Sequence, residues 1–254
     1  MQIMNKKTIP FFVKKIIKNA YAGILYIYFI IDFIKFKKNI RGNYRFKILW
    51  KNRYPQLLDK NLVTPFDSHY IYHPAWAARI IRQINPKLHI DISSTLYFSS
   101  IISAFVPVHF YDYRPANIIL NNLKTGKADL MSLPFSDKSI ESISCMHTIE
   151  HIGLGRYGDK IDPDGDLKAI GELKRVLAPG GSLLFVVPMG KPKIMFNAHR
   201  IYSYDQIISY FNDMELKEFS LIPDNAQEVG MIKDATKEIA DLQNYGCGCF
   251  WFTK

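Results

Sequence analysis

Two imidazoles and a carboxylate stand within five residues in the string His147-Thr148-Ile149-Glu150-His151. An unperturbed imidazole titrates near about 6.5, so much of it is unprotonated at neutrality and able to take a proton. The string therefore suits general-base chemistry on an acceptor hydroxyl. His147 is the first choice, ahead of His151 and of His199 further along, and Glu150 either orients a ring or is itself the base. The spacing also matches an H-x-x-E-H zinc motif, which needs a helix to bring both rings to one face. A β-rich run leads into His147 and GLGRYGD follows Ile152, so no such helix is expected and no metal site is assigned.

Two other stretches combine reactive residue types. Residues 153–166 read GLGRYGDKIDPDGD, four glycines with four acids, but the twelfth residue from Asp162 is Leu173, not the Glu that closes a calcium loop. The expectation is a solvated, mobile loop over the substrate. A nucleotide-sugar site on Asp162 and Asp164 would instead make the protein a glycosyltransferase. Cys247 and Cys249 fall in the terminal aromatic run YGCGCFWFTK, and two thiols alone read as core cysteines of a strand.

Elements of an alternating α/β pattern must position these residues. A helix is expected over 74–84, with Pro74 in its first turn, and strands over 88–93 (LHIDIS), 108–112 (VHFYD) and 139–146. A polar strand end falls at Asp129, before a turn through Pro134. Asp112 ends its strand 21 residues after Asp91, where nucleotide-binding α/β folds place an acid to accept from ribose hydroxyls. ELKRVLAPGGSLLFVVP then gives a helix end, a glycine turn and a buried strand. Such alternation predicts a mostly parallel sheet flanked by helices.

Residues 1–53 differ from the rest. They carry thirteen Lys and Arg against Asp32 alone, a charge of +12, while residues 54–254 carry −2, which argues against a uniformly basic nucleic-acid-binding body. The uncharged run NAYAGILYIYFII, residues 19–31, is short of the roughly 20 apolar residues of a spanning helix. It is flanked by lysines on both sides, with no small-residue cleavage site after it. Two readings stay open: a helix lying on an anionic membrane, or one packed on protein. The organisation expected is a helical extension and connector over 1–72 and a catalytic domain over 73–254. Three cysteines are too few for a disulfide framework, which points to a reducing cytoplasm, with peripheral contact to the inner membrane face through residues 1–53.

The order of these landmarks resembles the class I S-adenosylmethionine-dependent methyltransferases over residues 73–254. LPF follows an acid near the third strand, a fourth strand ends near EH, and ELKRVLAPGG precedes the fifth. EHIGLGRYGD, DPDGD, FNAHR and YGCGCF are similar to a little-characterised methyltransferase-like family whose bacterial members occur among surface-polysaccharide genes. The resemblance implies a Rossmann-like fold with an antiparallel C-terminal strand and S-adenosylmethionine as cofactor. It places Asp91, Ser93 and Ser94 in the first cofactor loop, Asp112 with Tyr113 at the ribose, and Asp129 with Leu130 at the adenine. The implied reaction is methylation of a hydroxyl on a sugar or a phosphorus-containing glycan decoration. One departure stands out: the first loop, DISSTLYFSS, has no glycine where the family brings backbone close to the cofactor. A non-catalytic scaffold in polysaccharide assembly is the alternative that this departure leaves open.

Overall fold

The computed structural model describes residues 11–42 and 45–254, with side chains from Asn19 onward. Contacts divide the chain into two units, residues 1–65 and 66–254.

In the first unit, helix α1 (Phe11–Lys38) is 28 residues long, and its Asn19–Lys38 segment is long and apolar enough to cross a membrane. None of that segment is buried. Asp32, which interrupts the apolar run in sequence, is paired with Lys60. Trp50 packs its ring edge-on to Phe33, with centroids 5.0 Å apart, and a 3-10 turn at Trp50–Asn52 presents it.

The second unit opens with α2 (Ser68–Ile84), six residues earlier than the sequence predicts. Asp67 caps it, accepting from the amides of His69 and Tyr70, so Pro74 lies inside the helix rather than in its first turn. A proline there removes one helical hydrogen bond, and burial of Trp76, Ala77, Ile80 and Ile81 against the sheet offsets that cost. Asn85 ends the helix in the left-handed conformation, its amide bonded to the Ile81 carbonyl.

The strands are β1 (His89–Ile92), β2 (Val108–Asp112), β3 (Leu123–Lys127), β4 (Ile140–Met146) and β5 (Leu177–Met189), then β6 (Lys193–Met195), β7 (His199–Ile201), β8 (Glu215–Ile222) and β9 (Gly246–Thr253). The main sheet has the order β3-β2-β1-β4-β5-β9-β8. Neighbours from β3 to β5 are parallel, and β9 runs antiparallel between β5 and β8. This is the expected Rossmann-like methyltransferase architecture, a mostly parallel sheet with an antiparallel C-terminal strand.

Strand β5 is buried on both faces: Leu183, Phe185 and Val187 enter one core, Leu184 and Val186 the other. One core lies under α2 and α3 (Leu96–Ile102), the second under α4 (Gly165–Val176) and α5 (Tyr204–Tyr210). The Pro179-Gly180-Gly181 segment makes its turn within β5, where the register against β4 jumps between Ile140 and Ser142. Strand order reverses between β1 and β4, and ligands of such sheets bind outside the carboxyl ends at that point.

Candidate active site

The ends of β1 and β4 are both closed by a non-glycine residue in left-handed conformation, Ser93 with φ 55° and His147 with φ 54°. Such backbone persists only where its surroundings hold it, and it clusters at functional sites. Here the Ser93 amide bonds the Tyr111 carbonyl, the His147 amide bonds the Val186 carbonyl, and Thr148 Oγ donates to the Ser93 carbonyl across the crevice. Ser93 thus takes the conformation a glycine would supply, which answers the glycine-free first loop. Ser94 Oγ next to it is buried and sits beside the Asp91 carboxyl.

A cleft of about 390 Å³ opens over these ends, lined by Ser93, Ser94, His147, Glu150, His151 and His199 among others. A second cavity of about 170 Å³ shares Ser93, His147, His151 and Tyr157 with it and reaches Asp112 and Tyr113. Asp112 accepts from the Arg114 amide through Oδ1, which leaves Oδ2 for a ligand. An apolar groove between α2 and α3 continues from the cleft through Tyr70 and Thr95.

Not every expected site residue reaches the cleft. Asp91 is fully buried in β1, where it accepts hydrogen bonds from Ser99 and Ser144, so it holds the loop from below rather than touching a ligand. Burial pushes its carboxyl up to about 6 against the hydroxyls of Ser144, Ser94 and Ser99. Asp129 is exposed and turns back on the Met131 amide, and Leu130 lies in the core, so neither lines the two cavities.

Priority among the histidines also changes. Both nitrogens of His147 are engaged, Nδ1 with Glu150 Oε1 at 3.0 Å and Nε2 with Cys247 Sγ at 3.3 Å. Its ring is stacked on His69 with centroids 5.2 Å apart. Burial disfavours the charged ring while Cys247 and Glu150 favour it; burial also pushes the Cys247 thiol well up, so it is the Glu150 hydrogen bond that supports charge on His147. With Nδ1 on Glu150 and Nε2 on Cys247, His147 is turned to partners inside the protein, which places it behind His151 as the candidate base.

His151 fits that role instead. Its Nδ1 lies 2.6 Å from the Ala198 carbonyl and 3.2 Å from Arg156 Nη1, and its Nε2 lies 3.7 Å from Glu150 Oε1. Burial lowers its pKa, with Glu150 opposing, so the ring is neutral at neutral pH. Glu150 is buried with one unpartnered oxygen, Oε2, and the His147 hydrogen bond lowers its carboxyl pKa against the effect of burial. His199, on β7, stands 6.4 Å from His151 and 5.0 Å from Tyr245, ring to ring.

The glycine-acid loop is tied down rather than free. The Gly153 and Tyr157 amides bond Asp159, and the carbonyls of Ile152 and Pro163 accept from the buried Arg200. Gly153 has φ 79°, and a Cβ there would meet the Asp162 carbonyl oxygen at 2.0 Å. Asp162 pairs with Lys168 and accepts from the Asp164 amide. Sequence reasoning missed Tyr157, which lines both cavities with Arg114 and Arg156 over its ring at 4.7 and 5.0 Å.

Comparison with known proteins adds a family match. Residues 133–243 match the family described as Caenorhabditis protein of unknown function, DUF268. No curated protein matches the chain. Among solved structures, a TehB-like SAM-dependent methyltransferase from Corynebacterium glutamicum is 16% identical, covers 72% of this chain and 88% of its own, and has a TM-score of 0.47. The N-methyltransferase NodS from Bradyrhizobium japonicum, in complex with S-adenosyl-L-homocysteine, is 12% identical, covers 70% and 84%, and has a TM-score of 0.49. At such scores the fold rests on the strand order and not on these likenesses.

Proposed function

We propose that the protein transfers a methyl group from S-adenosylmethionine to a hydroxyl of a sugar or a phosphorus-containing glycan decoration. The observation that carries the reading is the two-part cleft at the β1/β4 switch point, with Asp112 in one part, Glu150 in the other and His151 lining both. The fit to the cofactor rests on the left-handed Ser93 at the end of β1 and the free Asp112 Oδ2. Asp112 and Tyr113 would hold the ribose, and Ser93 and Ser94 would meet the chain beyond it. The bound cofactor supplies an electrophilic methyl group. His151 Nε2 takes the acceptor hydroxyl proton, and Glu150 stabilises the imidazolium that results. Tyr157 and the tied loop beside it keep water from the reacting groups.

Residues 1–53 attach the protein peripherally to an anionic inner membrane face, supported by the unburied apolar stretch of α1 and its basic flanks. The glycan acceptor class draws on the sequence resemblance.

Methyl transfer from labelled S-adenosylmethionine, assayed with glycans with and without an alkyl tail, tests the reaction. His151→Ala should lower turnover by roughly 10²–10⁴ with cofactor affinity intact. Wild-type turnover should persist below pH 6.5 and fall as pH drops through the depressed His151 pKa, in a setting where Glu150, Arg156, Tyr157, His147 and His199 face that ring. Full turnover by His151→Ala contradicts its role as base.

A further inference from the structure

The structure assigns a metal site of the zinc type to His69 on α2, His147 at the end of β4 and Cys247 on β9. Their ligand atoms lie within 4.8 Å of one another, and His147 Nε2 is 3.3 Å from Cys247 Sγ. Zinc binds imidazole nitrogen at about 2.0–2.1 Å and thiolate at about 2.3 Å, which sets tetrahedral N···S edges near 3.5 Å. The His147–Cys247 pair is already at that spacing. Closing His69 on it is an adjustment within the trio.

Three independent features mark the trio as built for a metal. The first is the partner behind His147: its Nδ1 faces Glu150 Oε1, the carboxylate–histidine arrangement that orients a ligating ring and aims Nε2 at the metal. The second is His73, one helical turn after His69. Its Nδ1–H donates to the His69 carbonyl at 2.6 Å, and its Nε2 is buried without any partner. That ring stands edge-on to His147 with centroids 5.1 Å apart, so an unpartnered imidazole nitrogen borders the trio, outside the set whose ligand atoms lie within 4.8 Å of one another. The third is Cys249, whose Sγ is 4.0 Å from that of Cys247 and adds a second soft donor beside the set. Mixed imidazole and thiolate ligands suit zinc and exclude the oxygen-seeking calcium and magnesium.

Without metal, one proton lies between His147 Nε2 and Cys247 Sγ; metal binding by the neutral imidazole and the thiolate expels it to solvent. The metal then ties α2, β4 and β9 together beside the cleft, and it fixes the backbone of His147 and the Glu150 carboxylate next to the reacting groups.

Cobalt(II) tests this, because thiolate ligation gives an intense near-ultraviolet charge-transfer band. Full-length protein stripped with a chelator should take up one equivalent of cobalt(II), show the band, and lose it on adding zinc(II). Cys247→Ala should abolish the band. His69→Ala, at a half-buried position that leaves the sheet intact, should weaken cobalt affinity at least tenfold, and Glu150→Gln by roughly 10–100-fold. No cobalt uptake by the folded wild-type chain overturns the assignment. So does uptake without the band, or a band and affinity unchanged in both Cys247→Ala and His69→Ala.

Discussion

At the residue scale, a buried carboxylate makes stability depend on pH in an unusual direction. Asp91 is raised from 3.8 to about 6 by burial, with the Ser144, Ser94 and Ser99 hydroxyls opposing and the Asp112 charge adding to the rise. A folded-state pKa above the unfolded one means that the native protein holds the proton more tightly. Its stabilising effect is present at low pH and lost as pH rises towards 6. Asp91→Asn keeps an acceptor for a serine hydroxyl and cannot ionise. Between about pH 4 and pH 7.5 its stability relative to the parent should improve by about 2–3 kcal/mol, read from urea midpoints at each pH. A constant difference across that range would mean that Asp91 is not held protonated in the fold. The same residue shows why part of the site was hard to read from sequence. An acid at a strand end is visible in the string, but whether it faces a ligand or the interior depends on Ser99 and Ser144, which come from other elements.

At the scale of elements, strands were more legible than the helix that precedes them. Strand β2 occupies residues 108–112 as its alternation predicts, and β4 begins within one residue of expectation. Helix α2 was misplaced at its start because proline normally marks a first turn, and only Asp67 reaching the His69 and Tyr70 amides reveals the earlier cap. The His69–His147–Cys247 trio was illegible for a plainer reason: its members lie 78 and 100 residues apart and meet only because β9 returns beside β5. The glycine-acid loop was read as mobile, yet Arg200 gathers it. Arg200 is 5% exposed, donates to the Ile152 and Pro163 carbonyls at 2.7 and 3.0 Å, and faces Asp166 at 3.5 Å. Removing it leaves Asp166 buried with only Tyr202 as partner. Arg200→Ala should therefore cost about 3–5 kcal/mol of stability in urea unfolding. A loss under about 1 kcal/mol would mean that the loop is held by other contacts.

At the scale of the whole molecule, charge and apolarity concentrate at one end of the chain. Residues 1–53 combine a charge of +12 with a helix whose Asn19–Lys38 segment meets the length of a membrane span. A peripheral attachment is salt-sensitive, because ions screen the attraction of lysines to anionic lipid, whereas a spanning helix stays in place. Full-length protein should sediment with anionic liposomes at low salt, come off at high salt, and fail to sediment once residues 1–53 are removed. Retention at high salt would make α1 a spanning helix, and no binding at low salt would leave it as a protein-packing element. The central claim, however, concerns the cleft at the β1/β4 switch point. Titration calorimetry of the full chain with S-adenosylmethionine and with its demethylated product tests it most directly. The account predicts one site for each compound, weakened by about 1–3 kcal/mol in Asp112→Ala through the lost ribose hydrogen bonds. Absence of binding by either compound to the folded wild-type protein would contradict it.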